Sequence, residues 1–120
     1  MDNLTPLKSR GLKWIRKRAF FSNGITILHT VSEGKSFFLV FSMLVTQHYA
    51  TGNKHGSLAI RDVNDTVIAD IQSLYCADAE GGRGESQSYP IPLEIPAGWD
   101  IFIWADSSTT TGASIFGWEE

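Results

Sequence analysis

The stretch Tyr89–Asp106, YPIPLEIPAGWDIFIWAD, limits how the rest of the chain can be arranged. Its first part places Ile91, Leu93 and Ile95 at every second position, and residues 101–105 alternate in the same way after a Pro-Ala-Gly-Trp turn. Alternation with a period of two predicts a β-strand on each side of this turn. Because proline has no backbone N–H, the prolines of the first strand predict a position at a sheet edge or at a bulge.

Further strands are predicted on both sides of this stretch. An Asn-Gly pair at Asn23–Gly24, followed by alternating apolar residues, predicts a β-hairpin. Residues 12–21 fit either a helix or a strand that enters this turn, and the turn favours the strand. A second hairpin is predicted between residues 58–63 and 66–76, which are rich in β-branched side chains.

The strand count indicates the fold class. About eight strands follow one another at spacings of about 8–14 residues, without a long helical pattern or an internal repeat. At 120 residues the chain has the length of one domain. We therefore predict an all-β protein, with a single-domain antiparallel β-sandwich of the jelly-roll type over residues 19–120 and an extended basic N-terminal arm over residues 1–18.

Residues 36–45, SFFLVFSMLV, form the most apolar segment, and both faces of the strand predicted over residues 36–49 are largely apolar. In a two-layer sandwich only one face of a strand meets the core, so something else has to cover the second face. The N-terminal segment or another subunit could do so. We predict a self-association face formed by Phe38, Val40 and Leu44.

Charge is distributed unevenly along the chain. Residues 1–18 carry six basic and one acidic residue, a net charge of +5, whereas the rest carries four basic and twelve acidic residues, a net charge of −8. This asymmetry fits an arm that binds an acidic partner, which could be a protein surface, a second copy of the acidic body, or nucleic acid. It fits a solvated charged terminus equally well. The predicted docking residues of the arm are Lys8, Arg10, Lys13, Trp14, Arg16, Lys17 and Arg18.

No motif of the sequence indicates catalysis or a metal centre. His29, His48 and His55 lack metal-ligand spacing, and the single Cys76 is expected in the core or at an interface. A nucleophile elbow is absent from the sequence, while a pair of catalytic carboxylates stays open because their separation is spatial. We predict no enzymatic activity, no metal and no cofactor. We also predict no membrane span, because the apolar segment has about half of the ~20 residues that a spanning helix needs.

Three tryptophans could contact a ligand instead of the core. Trp99 lies at the predicted turn, Trp104 on the following strand and Trp118 near the end of the chain. Exposed indole rings stack on sugar faces and anchor protein interfaces, whereas tryptophans at strand ends more often belong to the core. The three residues are the candidate aromatics for a glycan or a protein partner.

The order of several motifs resembles one group of proteins. A Glu-Gly-Lys turn at residues 33–35 precedes the long apolar strand, a Pro-x-Pro-Leu-Glu-Ile-Pro-Ala-Gly segment starts at Pro90, and Gly-Trp-Glu-Glu ends the chain. This order resembles the small β-sandwich proteins of tailed bacteriophage particles, such as the capsid decoration or cement proteins.

The resemblance implies a non-enzymatic structural virion protein. Such a protein would stabilise the capsid as a homo-oligomer, a trimer, bound to the major capsid protein or another virion protein. It would lie on the capsid surface and be soluble in the cytoplasm of the infected host before assembly. The alternative is a carbohydrate- or receptor-binding module of the tail-fibre head type. A third hypothesis, a nucleic-acid binder that uses the arm, is less favoured because one tryptophan among six cations is a weak version of the pattern.

Overall fold

The computed structural model describes residues 13–21, 24–48, 54–76, 82–107 and 109–120. These residues form β-strands joined by turns, and none of them is helical. The eight strands are β1 (Lys13–Phe21), β2 (Gly24–Thr30), β3 (Phe37–His48), β4 (Lys54–Arg61), β5 (Val67–Cys76), β6 (Gly82–Ile95), β7 (Asp100–Ala105) and β8 (Thr109–Glu119).

The strands form two four-stranded antiparallel sheets. Sheet A has the order β1-β8-β3-β6, and sheet B has the order β2-β7-β4-β5. Except for β4 and β5, consecutive strands lie in opposite sheets, so the chain wraps repeatedly around the core. This wrapping is the jelly-roll topology. The predicted fold class, an eight-stranded antiparallel sandwich, is confirmed.

The Tyr89–Asp106 stretch forms a corner between the sheets. The strand β6 is an edge of sheet A, as the prolines predict, and residues 89–92 form a bulge opposite Val40 of β3. Gly98 adopts φ +81°, and the Trp99 backbone N–H donates to the Pro96 carbonyl at 3.3 Å. This turn carries the chain into β7 of sheet B, so β6 and β7 are not paired with each other.

The strand β1 resolves the ambiguity of residues 12–21. Residues Lys13–Phe21 form a strand that pairs with β8, whereas β2 pairs with β7. The predicted hairpin at Asn23–Gly24 is therefore wrong, because its two strands belong to different sheets. The predicted boundary at residue 18 falls inside β1, and residues 1–12 of the arm lie outside the described residues.

A bulge at Val40 decides which side chains of β3 face the core. Leu39 pairs with Gly117 and Phe41 with Phe116, so Val40 is an extra residue that reverses the alternation. Leu39 and Leu44 are consequently both fully buried. The predicted self-association face is therefore corrected: Leu44 belongs to the core, whereas Phe38 lies on the outer face of sheet A.

The core fills the space between the sheets with aliphatic side chains. The two central strands of each sheet contribute to it, and Cys76 is buried beside it as predicted. The hairpin of β4 and β5 is also confirmed, since Asp62 Oδ1 accepts hydrogen bonds from the backbone N–H groups of Asn64 and Thr66. The largest fully buried apolar side chains are Phe37, Leu39, Leu44, Leu58, Ile95, Ile101, Ile103 and Ile115.

A buried carboxylate joins the end of β8 to β2. Glu119 is 4% exposed, and its carboxylate accepts hydrogen bonds from the Ser32 hydroxyl at 2.6 Å, the Ser32 backbone N–H at 3.0 Å and His29 Nε2 at 2.8 Å. Burial raises the pKa of Glu119, but the bonds from Ser32 and His29 outweigh it and hold the pKa below the usual 4.5. The carboxylate is therefore ionised at neutral pH.

A second polar network links sheet A to sheet B. The Ser42 hydroxyl donates to Gln72 Oε1 at 2.5 Å and lies 2.9 Å from the Tyr89 hydroxyl, while Gln72 Nε2 donates to the Glu85 carbonyl at 3.3 Å. Burial raises the pKa of Tyr89; the Ser42 hydrogen bond lowers it, and the nearby Glu85 charge adds a smaller increase. In both networks the buried polar groups have hydrogen-bond partners. Because these bonds join different strands, they also help to fix the positions of the strands relative to one another.

Candidate interaction surfaces

The outer face of sheet A carries a cluster of aromatic side chains. Trp14 stacks on Phe116 with ring centroids 4.7 Å apart, and Trp118 stacks on Phe38 at 5.1 Å. Trp14 and Trp118 are also in contact, at 5.5 Å. We call this surface the aromatic face; it consists of Trp14, Phe38, Phe41, Met43, Val45, Phe116 and Trp118.

The aromatic face exists because the central strands β8 and β3 carry apolar residues outward. Phe116 and Trp118 of β8 alternate with buried Ile115 and Gly117, and the Val40 bulge aligns Phe41 beside Phe116. The aromatic side chains are half-buried among themselves, while Met43 is 40% exposed. Exposed apolar surface on a central strand marks an interaction site when it is contiguous.

The two edge strands of sheet A carry opposite charges on this side. Arg16 and Arg18 of β1 alternate with buried Ile15 and are exposed beside the aromatic face. Glu94 of β6 pairs with Phe38 and is exposed at the opposite edge. The aromatic face is thus bordered by cations on one edge and by a carboxylate on the other.

Shallow depressions run along the aromatic face. One has a volume of ≈ 310 Å³ and is lined by Arg16, Phe41, Met43 and Phe116, among others. A neighbouring one of ≈ 260 Å³ continues past Arg18 to Val45 and Gly112. The surface is therefore grooved and broad, which suits a protein contact better than an enclosed small-molecule site.

The outer face of sheet B holds a separate open cavity of ≈ 340 Å³, about as shallow as the depressions of the aromatic face. His55 lies against both Trp104 and Tyr75, with ring centroids 4.6 Å and 4.7 Å away. Its Nδ1 is 3.2 Å from Asp106 Oδ2, which also accepts the His55 backbone N–H at 2.9 Å. We call this site the sheet B cavity; its lining residues are Ile25, His55, Ser57, Ala59, Val67, Asp70, Phe102 and Trp104.

The three candidate tryptophans lie in three different places. Trp118 belongs to the aromatic face and Trp104 to the sheet B cavity. Trp99 packs against the core beside Val31, whose backbone N–H donates to the Trp99 carbonyl at 2.9 Å. The structure therefore does not bring them together into one ligand site.

The predicted docking residues are also divided. Trp14 stacks on the aromatic face, Arg16 and Arg18 border it, and Lys17 is exposed on the side of β1 that carries Ile15. For Lys13 only the strand backbone is described, and Lys8 and Arg10 lie outside the described residues. Charge counting along the chain could not separate these positions, because the alternation of β1 distributes them over two sides.

Several surface residues were not predicted as parts of a site. Phe41, Met43 and Phe116 of the aromatic face were missed, as were His55 and Tyr75 beside the sheet B cavity. The two apolar faces of residues 36–49 did signal an uncovered surface, but the bulge that selects its members has no local sequence signal.

Among the described residues, no group of three or more His, Cys, Asp or Glu side chains could hold a metal ion. No helix in the described ranges is long and apolar enough to cross a membrane.

Comparisons with known proteins give remote structural likenesses. No protein-family model and no curated protein matches the chain. The fold is similar to part of an arabinose-bound GH51 α-L-arabinofuranosidase, with 9% identity over 84% of this chain and a TM-score of 0.42. It is also similar to part of infectious bursal disease virus Gt strain (7% identity, 90% of this chain, TM-score 0.40) and of procruciferin, an 11S globulin from Brassica napus (13%, 87%, 0.29). The chain spans 22%, 32% and 20% of the lengths of these three chains, respectively.

Proposed function

We propose that this protein is a non-enzymatic structural component of a virus particle, a capsid decoration protein that self-associates and binds the capsid shell. The aromatic face is the observation that carries the proposal. Seven largely apolar side chains form a continuous outer surface on a sheet whose other face already fills the core. A protein that binds a repetitive shell and its own copies needs such a surface for self-association.

Docking on the shell is assigned to the cations that the aromatic face does not use. Lys17 is exposed on β1, and Lys8 and Arg10 precede this strand in the chain. These three cations are set apart in the chain from residues 19–120, which carry more acidic than basic groups. An acidic patch on the shell would attract them, with an association rate that falls as the salt concentration rises.

The test is a charge reversal. We expect Lys8→Glu/Arg10→Glu/Lys17→Glu to bind stripped capsid shells about tenfold more weakly or worse, because three attractive contacts become repulsive. Cosedimentation with the shells measures the bound amount, and circular dichroism checks that the variant is folded. Deleting residues 1–18 is a poorer test, since it would remove most of β1 from sheet A.

A matched control changes the net charge by the same amount elsewhere. Lys35→Glu/Lys54→Glu/Arg83→Glu alters three cations in a turn, on β4 and on β6, and we expect binding within about twofold of the unmodified protein. Equal losses in both triple variants, or full binding by the first, would contradict the docking role of the arm.

The second candidate function is carbohydrate binding, and the sheet B cavity is the observation that favours it. Trp104 supplies an aromatic wall, while Asp70 and His55 supply polar groups at the rim. Aromatic stacking combined with a few placed polar groups is how proteins hold sugar rings. The tail-fibre head alternative would use this cavity rather than Trp99 or Trp118.

Calorimetric titration with the best ligand from a glycan array separates the two candidates. If the cavity is a glycan site, we expect Trp104→Ala to weaken binding at least tenfold, because the stacking wall is lost. Trp118→Ala removes the same side chain from sheet A and is the matched control, with affinity unchanged. An array without any bound glycan, for protein that is folded, excludes this candidate.

A further inference from the structure

We propose that the aromatic face is a two-fold interface, on which a second copy of this chain packs with its own aromatic face. The two-fold axis runs parallel to the strands and lies between β8 and β3. The inference rests on the self-association part of the proposed function and specifies its geometry. It departs from the trimer that the resemblance implies, since one isologous contact closes as a dimer.

Charge selects the direction of the axis. An axis parallel to the strands places β1 of one copy over β6 of the other, so that Arg16 and Arg18 face the edge that carries Glu94. Arg16 is then two residues, about 7 Å along the strand, from Glu94 of the other copy. An arginine side chain can span this distance. An axis perpendicular to the strands would place β1 on β1 and bring the arginines together, which is repulsive.

Side-chain size agrees with the same axis. It places β8 of one copy over β3 of the other with the levels along the strands preserved. Ser114 and Gly112 are paired with Met43 and Val45 in the register of β8 and β3, so at these two levels small residues of one copy oppose large residues of the other. At the remaining two levels Phe116 opposes Phe41 and Trp118 opposes Phe38, which places aromatic rings against each other. Interfaces in which small and large residues interdigitate reach the packing density of protein interiors.

The available area is sufficient for a stable contact. Four strands spaced about 4.8 Å apart, over about nine residues of about 3.3 Å each, give a flat area of about 600 Å² per copy. Side-chain relief increases this value toward the ~800 Å² per partner of a standard interface. The apolar centre and charged borders of the aromatic face also match the usual division of an interface into core and rim.

The first experiment measures the mass of the full chain in solution by sedimentation velocity. We expect the 13.3 kDa chain to sediment as a dimer at micromolar concentration, and Met43→Asp to raise the dissociation constant at least 100-fold. Met43 is 40% exposed, so the folded monomer tolerates the change, which circular dichroism verifies. Ile68→Asp is the matched control on sheet B, 48% exposed, with the dimer retained.

The second experiment tests the orientation of the two copies by charge exchange. We expect Arg16→Glu alone and Glu94→Arg alone to weaken the dimer about tenfold, and the double variant to restore it. Within one chain β1 and β6 are three strand spacings apart, about 14 Å, so restoration reports a contact between copies.

A monomer or a trimer at micromolar concentration overturns the proposal, as does a dimer that Ile68→Asp dissociates and Met43→Asp does not. A double variant that is weaker than both single variants rejects the parallel axis. A monomer would also remove the self-association part of the proposed function, whereas a dimer with another interface or axis would leave that part intact. None of these results bears on shell attachment, which cosedimentation measures separately.

Discussion

Replacement of Gly117 by alanine is expected to destabilise the protein by about 3 kcal/mol, at the upper end of what overpacking in a core costs. An added Cβ would overlap the Phe38 carbonyl oxygen and lie 2.8 Å from Phe37 Cζ. Both neighbours belong to β3, which lies in the middle of sheet A and cannot shift without disturbing its pairing with β6. Urea denaturation at fixed protein concentration measures the free energy of unfolding.

Gly82→Ala is the control for this substitution. Its added Cβ would meet nothing closer than the Thr46 carbonyl oxygen, at 3.8 Å, on an exposed edge strand. We expect a change within about 0.5 kcal/mol. If Gly117→Ala unfolded at the same urea concentration as the unmodified protein, the close approach of β8 and β3 described here would be incorrect.

Glu119→Gln is expected to lower the free energy of unfolding by about 2 kcal/mol at neutral pH, since it replaces a charge-assisted acceptor of three hydrogen bonds by a neutral amide. The effect depends on pH. Because the folded-state pKa of Glu119 lies below 4.5, the carboxylate stabilises the fold above that pH, and this contribution is lost as the pH falls through the lower folded-state value.

Urea denaturation between pH 7 and pH 3 measures this dependence. The difference between the unmodified protein and Glu119→Gln should be constant near neutrality and should shrink below about pH 4.5. Glu33→Gln, in an exposed turn, is the control and should follow the unmodified protein at every pH. A difference that stayed constant down to pH 3 would contradict the role of the ionised carboxylate.

The bulge at Val40 shows why the candidate site was only partly predictable. Local alternation predicted a two-faced strand at residues 36–49, and the structure confirms that its outer side is apolar. The bulge at Val40 adds one residue to β3 and so reverses the alternation of the residues after it. The outward-facing residues are therefore even-numbered before Val40 and odd-numbered after it. Leu44 was therefore assigned to the surface although it lies in the core, and Met43 was missed.

The tryptophans and the arm show the same limit at longer range. Sequence proximity grouped Trp99 with Trp104, but the corner at Gly98 sends them to the core and to an outer face. The basic segment was treated as one arm, whereas residues 13–18 belong to a paired strand with two sides. Such assignments depend on which strands become neighbours, and the chain order does not state this.

The sequence by itself determined the all-β class, the approximate number of strands and the edge position of β6. Alternation and a missing backbone donor act on neighbouring residues and need no partner to be recognised. Only the tertiary structure decided that β1 and β2 separate into two sheets, that the bulge at Val40 turns Met43 outward, and that Trp14 meets Phe116 and Trp118. Those outcomes depend on contacts between strands that are distant in the chain. The aromatic face of sheet A is thus a property of the fold, assembled from β1, β3 and β8.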